Sequence, residues 1–190
     1  MTASEGRTTL SLVRRLRFCA GHRLMGHEGH CAYLHGHNYR VDVEVAPCDG
    51  GSATDGVGRI VDFAVVKRRL LGWIDAHWDH AFILAADDTG AVAAVRSSKP
   101  VKLFLLPWNP TAENMARYLL EVVCPTVFAD LAVVARRVTV WETVDTSATA
   151  AFEGPPRPAP FPPGAAIVDD DRRPAAPRGA ADPPAEPPSP

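Results

Sequence analysis

Several things are scarce in this chain, and each scarcity excludes something. Only four cysteines occur in 190 residues (Cys19, Cys31, Cys48 and Cys124), and no two of them form a CxxC pair. Dispersed thiols fit a reduced, cytoplasmic protein rather than a disulfide framework. No apolar run approaches the roughly 18 residues that a membrane-crossing helix requires, so no membrane partner is expected. The first residues, MTASEGRTTL, lack the basic start and apolar stretch of a secretory signal. A formal charge of −2 offers no electrostatic case for a nucleic-acid partner. Histidine is missing after His80; all seven lie between His22 and that residue.

Proline is unevenly placed. Of 18 prolines, 13 fall in the last 40 residues, and no large apolar residue follows Val168. Such a segment cannot bury enough surface to offset its ordering entropy. Residues 152–190 are therefore expected to form a disordered tail, and 1–151 the folded domain.

Within that domain the hydrophobic pattern alternates between two periods. TLSLVRRLRFC (9–19) alternates loosely and reads as a strand. NYRVDVEVA (38–46) alternates cleanly, with Tyr39, Val41, Val43 and Val45 on one face and Arg40, Asp42 and Glu44 on the other. Asp62 can cap a helix over 63–76, where Phe63, Val66, Leu70 and Trp73 recur at helical spacing. VKLFLLP (101–107) is a short apolar strand. Thr111 can cap a second helix over 112–123, and RRVTVWETV (136–144) alternates as a last strand. The order strand, strand, helix, strand, helix, strand predicts an α+β fold: an antiparallel sheet with helices over one face.

The histidines are the chemical signal. His35 and His37 are two apart, so on an extended backbone both rings leave the same face, and Gly36 between them spares the other face a side chain. His22 follows the first strand, which can pair with the second and bring its ring close. Three imidazoles leave a fourth tetrahedral position open, as in catalytic rather than structural zinc sites. His27 and His30 sit in the Gly-rich loop GHEGHC and read as loop residues. Cys31, four residues before His35, reads equally as an activated thiol or as a fourth ligand. Asp79 beside His80 can set an imidazole's tautomer and stabilise its protonated form. Glu142 follows the face of Val138 and Val140, where an unpaired carboxylate costs several kcal/mol. Either a ligand with two parallel N–H groups meets it, or Glu142 is on the exposed face.

Six stretches together carry a resemblance: FCAGHRL, CAYLHGHNYRVDVEV, GRIVDFAVVK, WDHAFIL, NPTAENMARYL and WETVDTSA, in this order over about 11–150. They resemble the 6-pyruvoyltetrahydropterin synthase / 6-carboxytetrahydropterin synthase family, and the Cys-x-x-x-His-Gly-His spacing resembles its bacterial 6-carboxy branch. The resemblance implies a tunnelling fold, with a four-stranded antiparallel sheet, two helices on one face, and subunits joined into a barrel as a tetramer or hexamer. It implies Zn2+ on His22, His35 and His37. Cys31 would be the catalytic acid or base, with Asp79 and His80 as relay partners from a neighbouring subunit. Glu142, helped by Thr143, would hold a pterin. The implied substrate is 7,8-dihydroneopterin triphosphate, on the way to 7-deazaguanines such as queuosine. Arg14, Arg15, Arg17 and Lys67 are candidates for its triphosphate. Three features depart from the family: Cys19 in place of a small residue, a longer stretch over 85–106, and the Pro-rich tail.

Overall fold

A computed structural model describes residues 8–153 and a strand at 167–170. Strand β1 (Leu12–His22) and strand β2 (His35–Pro47) run antiparallel over eleven paired positions. Their buried residues alternate: Leu16 faces Val41, Phe18 faces Tyr39, and Ala20 faces His37. Because side chains on a strand repeat every two residues, this register commits one whole face to the core. The predicted strand alternation holds, and both strands reach the histidines, which the sequence placed just outside them.

Helix α1 (Phe63–His77) starts at the predicted cap, where the Asp62 carboxylate accepts from the Ala64 amide. It buries Val66, Leu70 and Ile74 against the sheet, whereas Phe63 is exposed. Strand β3 (Ala81–Ala85), helix α2 (Thr89–Ser97) and strand β4 (Lys102–Leu106) follow. Helix α3 (Ala112–Tyr118) begins at Thr111, whose hydroxyl accepts from the Asn114 amide. It continues through a π-helical turn (Leu119–Val123) into α4 (Cys124–Val127). The wide turn stands just before Pro125, which has no N–H to give a regular α-helix. Strands β5 (Val133–Trp141) and β6 (Ser147–Ala151) complete the body.

The sheet corrects the expected architecture. Its order is β6-β5-β2-β1-β3-β4, with β7 (Ile167–Asp170) antiparallel on the outer edge of β4. Strands β1, β3 and β4 are parallel neighbours, so the sheet is mixed and six-stranded before β7 is counted, rather than four-stranded and antiparallel. The difference arises in the segment after His80. AFILA is buried on both faces and shows no alternation to read, and α2 makes a βαβ crossover from β3 to β4. Helix α2 packs with Leu84 and Leu103 in a second apolar cluster, away from the cluster holding Ile83, Phe104 and α1. Helices therefore cover both faces at this end of the sheet. Strand β6, SATAA, is too poor in large apolar residues to stand out in the sequence.

Within the expected tail, Ile167–Asp170 pairs with β4. The remainder of the predicted tail beyond residue 153 lies outside the described residues.

Gly36 stands directly opposite Gly21 in the β1–β2 ladder. A Cβ at Gly36 would lie 2.9 Å from the Ala20 carbonyl oxygen, a backbone atom that cannot swing aside. Gly36→Ala is expected to cost about 1–3 kcal/mol of stability and to displace the ligand-bearing strand ends. A thermal melt together with metal analysis checks this; an unchanged melt and full metal content would refute it.

Candidate active site

His22 ends β1 and His35 begins β2, and the two are direct partners across the ladder. His37, two residues on, shares the face of His35. The ring centroids are 4.4 Å apart for His22–His35, 5.1 Å for His22–His37 and 5.0 Å for His35–His37. One nitrogen from each ring lies within 4.8 Å of the others. His22 is 1 % exposed, and the other two are half-buried.

The hydrogen bonds fix what these nitrogens can do. His22 Nδ1 is 2.9 Å from the Pro110 carbonyl oxygen, and His35 Nδ1 is 2.8 Å from that of Tyr33. A carbonyl only accepts, so both Nδ1 atoms carry the proton. Both Nε2 atoms are then bare lone pairs, yet they stand 3.0 Å apart. Two acceptors at that distance repel unless a cation lies between them. Nitrogens bound to one zinc at about 2.0–2.1 Å are about 3.4 Å apart, and ligand imidazoles characteristically donate their other N–H to a carbonyl. The three residues thus fit a zinc-like cation.

Burial, more than the neighbouring imidazoles, pushes His22 down to about 4, against a partial opposing pull from the Pro110 carbonyl. His37 moves down as well, through burial and His35. Neutral rings at ordinary pH are what metal ligation requires.

Cys31 lies in the 3-10 turn His30–Ala32, half-buried, and its carbonyl accepts from the Leu24 amide at 2.8 Å. It falls outside the three-nitrogen set. His27 Nδ1 accepts from the Gly29 amide within the same loop, and His30 packs beside Tyr33. Both lie outside the three-nitrogen set.

Glu142 follows the last residue of β5 and is half-buried. Its carboxyl is held above the ordinary range by burial first and by Glu113 second, against a partial pull from His35. Thr143 closes the following turn. Its hydroxyl is 2.7 Å from that of Thr146 and accepts from the Asp145 and Thr146 amides. A cavity of about 780 Å³ is bordered by His37, Tyr39, Asp79, Glu142 and Thr143.

Asp79 and His80 pack against β1 at Cys19. The His80 amide donates to the Cys19 carbonyl at 2.7 Å, and the Cys19 amide donates to Asp79 Oδ1 at 3.0 Å. Asp79 Oδ2 holds His80 Nδ1 at 2.8 Å, and His80 has a φ of 58°. In the ladder Cys19 faces Asn38, so it lies on the face opposite His22 and Tyr39. Asp79 also borders the 780 Å³ cavity together with His37 and Glu142. Among the basic candidates, Arg15 is bound by both carboxylate oxygens of Asp42, and Arg17 borders the cavity opposite Arg40.

Three features escaped the sequence. Tyr39 meets His22 and His37 edge-on, at 5.8 and 5.4 Å. Its spacing of two from His37 was the signal available. Asn109 both accepts from the Met25 amide and donates to the Met25 carbonyl, at 2.8 Å each, which ties the Cys31 loop to the segment holding Pro110. Arg23, next to His22, makes two hydrogen bonds with Asp88, at 2.6 and 2.7 Å. Asp88 is buried and also caps α2.

The arrangement defines a class: a sheet that presents three metal-ready imidazoles beside a carboxylate-bordered cleft. Residues 11–153 match the family described as 6-pyruvoyl tetrahydropterin synthase, and the chain belongs to that family. A Rickettsia bellii protein named 6-carboxy-5,6,7,8-tetrahydropterin synthase is 35% identical over 134 residues, spanning 70% of this chain and 94% of the relative. One from Haemophilus influenzae with the same name is 30% identical over 112 residues, 57% of this chain and 77% of the relative. Among solved structures, an uncharacterized protein from Wolinella succinogenes superposes with a TM-score of 0.63 at 22% identity, covering 77% of this chain and 99% of that one. The 6-pyruvoyl tetrahydropterin synthase of Caenorhabditis elegans gives 0.53 at 23% identity, covering 77% and 98%. These two likenesses support the fold. No helix among the described residues is long and apolar enough to cross a membrane.

The depressed His22 value carries a sign. Between its folded value of about 4 and its ordinary 6.5, the unfolded chain binds more protons than the folded one. Stability of the metal-free protein should therefore fall as pH drops through that window. Melts across it should show a steeper decline for the wild type than for His22→Gln; equal slopes would remove His22 as the source.

Proposed function

We propose that this chain is a zinc-dependent 6-carboxy-5,6,7,8-tetrahydropterin synthase. It would convert 7,8-dihydroneopterin triphosphate to 6-carboxytetrahydropterin, acetaldehyde and triphosphate, in the cytoplasm, on a route to 7-deazaguanines such as queuosine. The observation that carries this reading is the convergence of the His22, His35 and His37 nitrogens, with two bare Nε2 atoms 3.0 Å apart, near the half-buried Glu142. The names of the curated relatives support the 6-carboxy reaction, and so does the Cys-x-x-x-His-Gly-His spacing.

His22, His35 and His37 would hold the metal, with Pro110 and Tyr33 orienting two of the rings from behind. Zinc in that position supplies Lewis acidity toward the side-chain hydroxyls of the substrate. Glu142 takes the 2-amino group and the adjacent ring N–H of the pterin as a bidentate pair. That pairing returns to the carboxylate the charge stabilisation that burial removes, and it gives a raised carboxyl a reason to sit in a cleft. Thr143 borders the same region and contributes a further contact. Cys31 moves a proton at its thiol. His80 moves one at Nε2, because Asp79 occupies its Nδ1. A complete set is assembled when copies join their sheets into a homo-oligomeric barrel and one copy lends Asp79 and His80 to the next.

Cys31→Ala should keep stoichiometric zinc and lose about 10²–10⁴ in turnover. Full activity in the variant would remove the thiol from the mechanism. Glu142→Gln should weaken pterin affinity by roughly tenfold to a hundredfold, since a charge-assisted pair is lost; calorimetry with 7,8-dihydroneopterin reads this, and unchanged affinity refutes the anchoring role. Identifying the product by mass tests the reaction itself. Acetaldehyde with a 6-carboxy product supports the reading, and a 6-pyruvoyl product moves the chain to the sibling activity.

A further inference from the structure

Four buried side-chain polar atoms lack a hydrogen-bond partner among the described residues: Arg14 Nε, Tyr39 Oη, Arg40 Nε and Trp78 Nε1. The two arginines have further N–H groups, and Arg40 lies over the Trp141 ring at 3.8 Å. Trp78 is enclosed by Phe18, Trp73, Phe104 and Tyr118 in the aromatic core. Tyr39 differs in its surroundings. It is 1 % exposed, yet it borders the 780 Å³ cavity together with His37 and Glu142.

Its ring is not free to turn away. Phe18 stacks on it at 5.0 Å and 12°, and His22 and His37 meet it edge-on. Burial first, and then the Glu142 carboxylate, hold the phenol in its protonated form. A buried hydroxyl without a partner costs free energy that an apolar isostere would not. Phenylalanine would fill the same stack, so the oxygen is a liability in the free protein.

We infer that the Tyr39 hydroxyl is a ligand-recognition group, which donates a hydrogen bond to an acceptor on the pterin between the Glu142 carboxylate and the three imidazoles. This rests on the pterin reading above and deepens it by naming a contact residue. The ligand's ring nitrogens and first side-chain oxygen supply acceptors over that span. The position of the hydroxyl is set before binding, so little ordering entropy opposes the contact.

The test uses zinc-loaded full-length protein and its Tyr39→Phe variant, titrated with 7,8-dihydroneopterin by calorimetry and melted without pterin. The variant should carry the same zinc and melt at the wild-type temperature or above it. Its affinity should fall about threefold to tenfold, the range of one neutral hydrogen bond. If the wild type binds and the variant binds within that threefold margin, this inference falls and the proposed function stands. A wild type that binds no dihydroneopterin overturns both. A variant that melts several degrees lower shows the hydroxyl already partnered in the free protein, and overturns the inference as well.

Discussion

One register decision carries the site. With His22 paired to His35 across the β1–β2 ladder, His37 follows two residues later on the same face. A slip of β2 by one residue would send His35 and His37 to the other side of the sheet, away from His22, and bring Asn38 inward. The hydrophobic pattern guards against that slip. Leu16, Phe18, Tyr39, Val41 and Val43 lie on the same face as the imidazoles and are buried in the main core. The core therefore sets the register, and the register sets the metal geometry. The ligands occupy the end of the ladder, where apolar packing gives way to the carbonyls of Pro110 and Tyr33.

The two faces of the strand ends have different tasks. On the inner face the rings converge. On the outer face Gly21 and Gly36 are paired, and both positions lack room for a side chain. A Cβ at Gly21 would lie 2.5 Å from the Phe82 ring, and one at Gly36 would strike the Ala20 carbonyl. The Phe82 ring of the neighbouring strand β3 thus lies close against the back of the ladder at Gly21. His80 hydrogen-bonds Cys19 through its amide, and Asp79 does so through its carboxylate. Close packing behind the ligands also limits how far the strand ends can splay when the imidazole lone pairs repel.

What could be read in the sequence follows physical visibility. Clean alternation revealed β2, helical spacing and carboxylate or hydroxyl caps revealed α1 and the start of α3, and His35-Gly36-His37 revealed the ligand face. β3 escaped because a strand buried on both faces has no polar side to alternate with. β6 escaped because small residues carry little signal in either period. With β3 and β4 unrecognised as a βαβ pair, the parallel half of the sheet could not be foreseen. The groups behind the ligands were invisible for a different reason. Pro110 and Tyr33 act through backbone carbonyls, which every residue has, and only the fold selects which of them face an imidazole. Tyr39 stood out only as one position on the alternating face of β2; its hydroxyl became chemically interesting only once its neighbours were known.

The βαβ unit formed by β3, α2 and β4 is tied directly to the metal end of β1. Arg23 is adjacent to His22, and its guanidinium grips Asp88, whose carboxyl that contact holds below the usual carboxylate range. The same carboxylate accepts from the Ala91 amide at the start of α2. One buried acid thus answers both the orphan amide of a helix N-terminus and the charge of the residue beside a ligand. The Asn109–Met25 pair secures the chain just beyond Arg23 in the same way. Two side chains from later in the sequence therefore hold the three residues after His22. This explains how a loop rich in glycine, GHEGHC, can leave a rigid strand and still return Cys31 to the site's edge. The polar contacts at the base of the loop are long-range ones, and Asp88 in the 85–106 stretch supplies one of them.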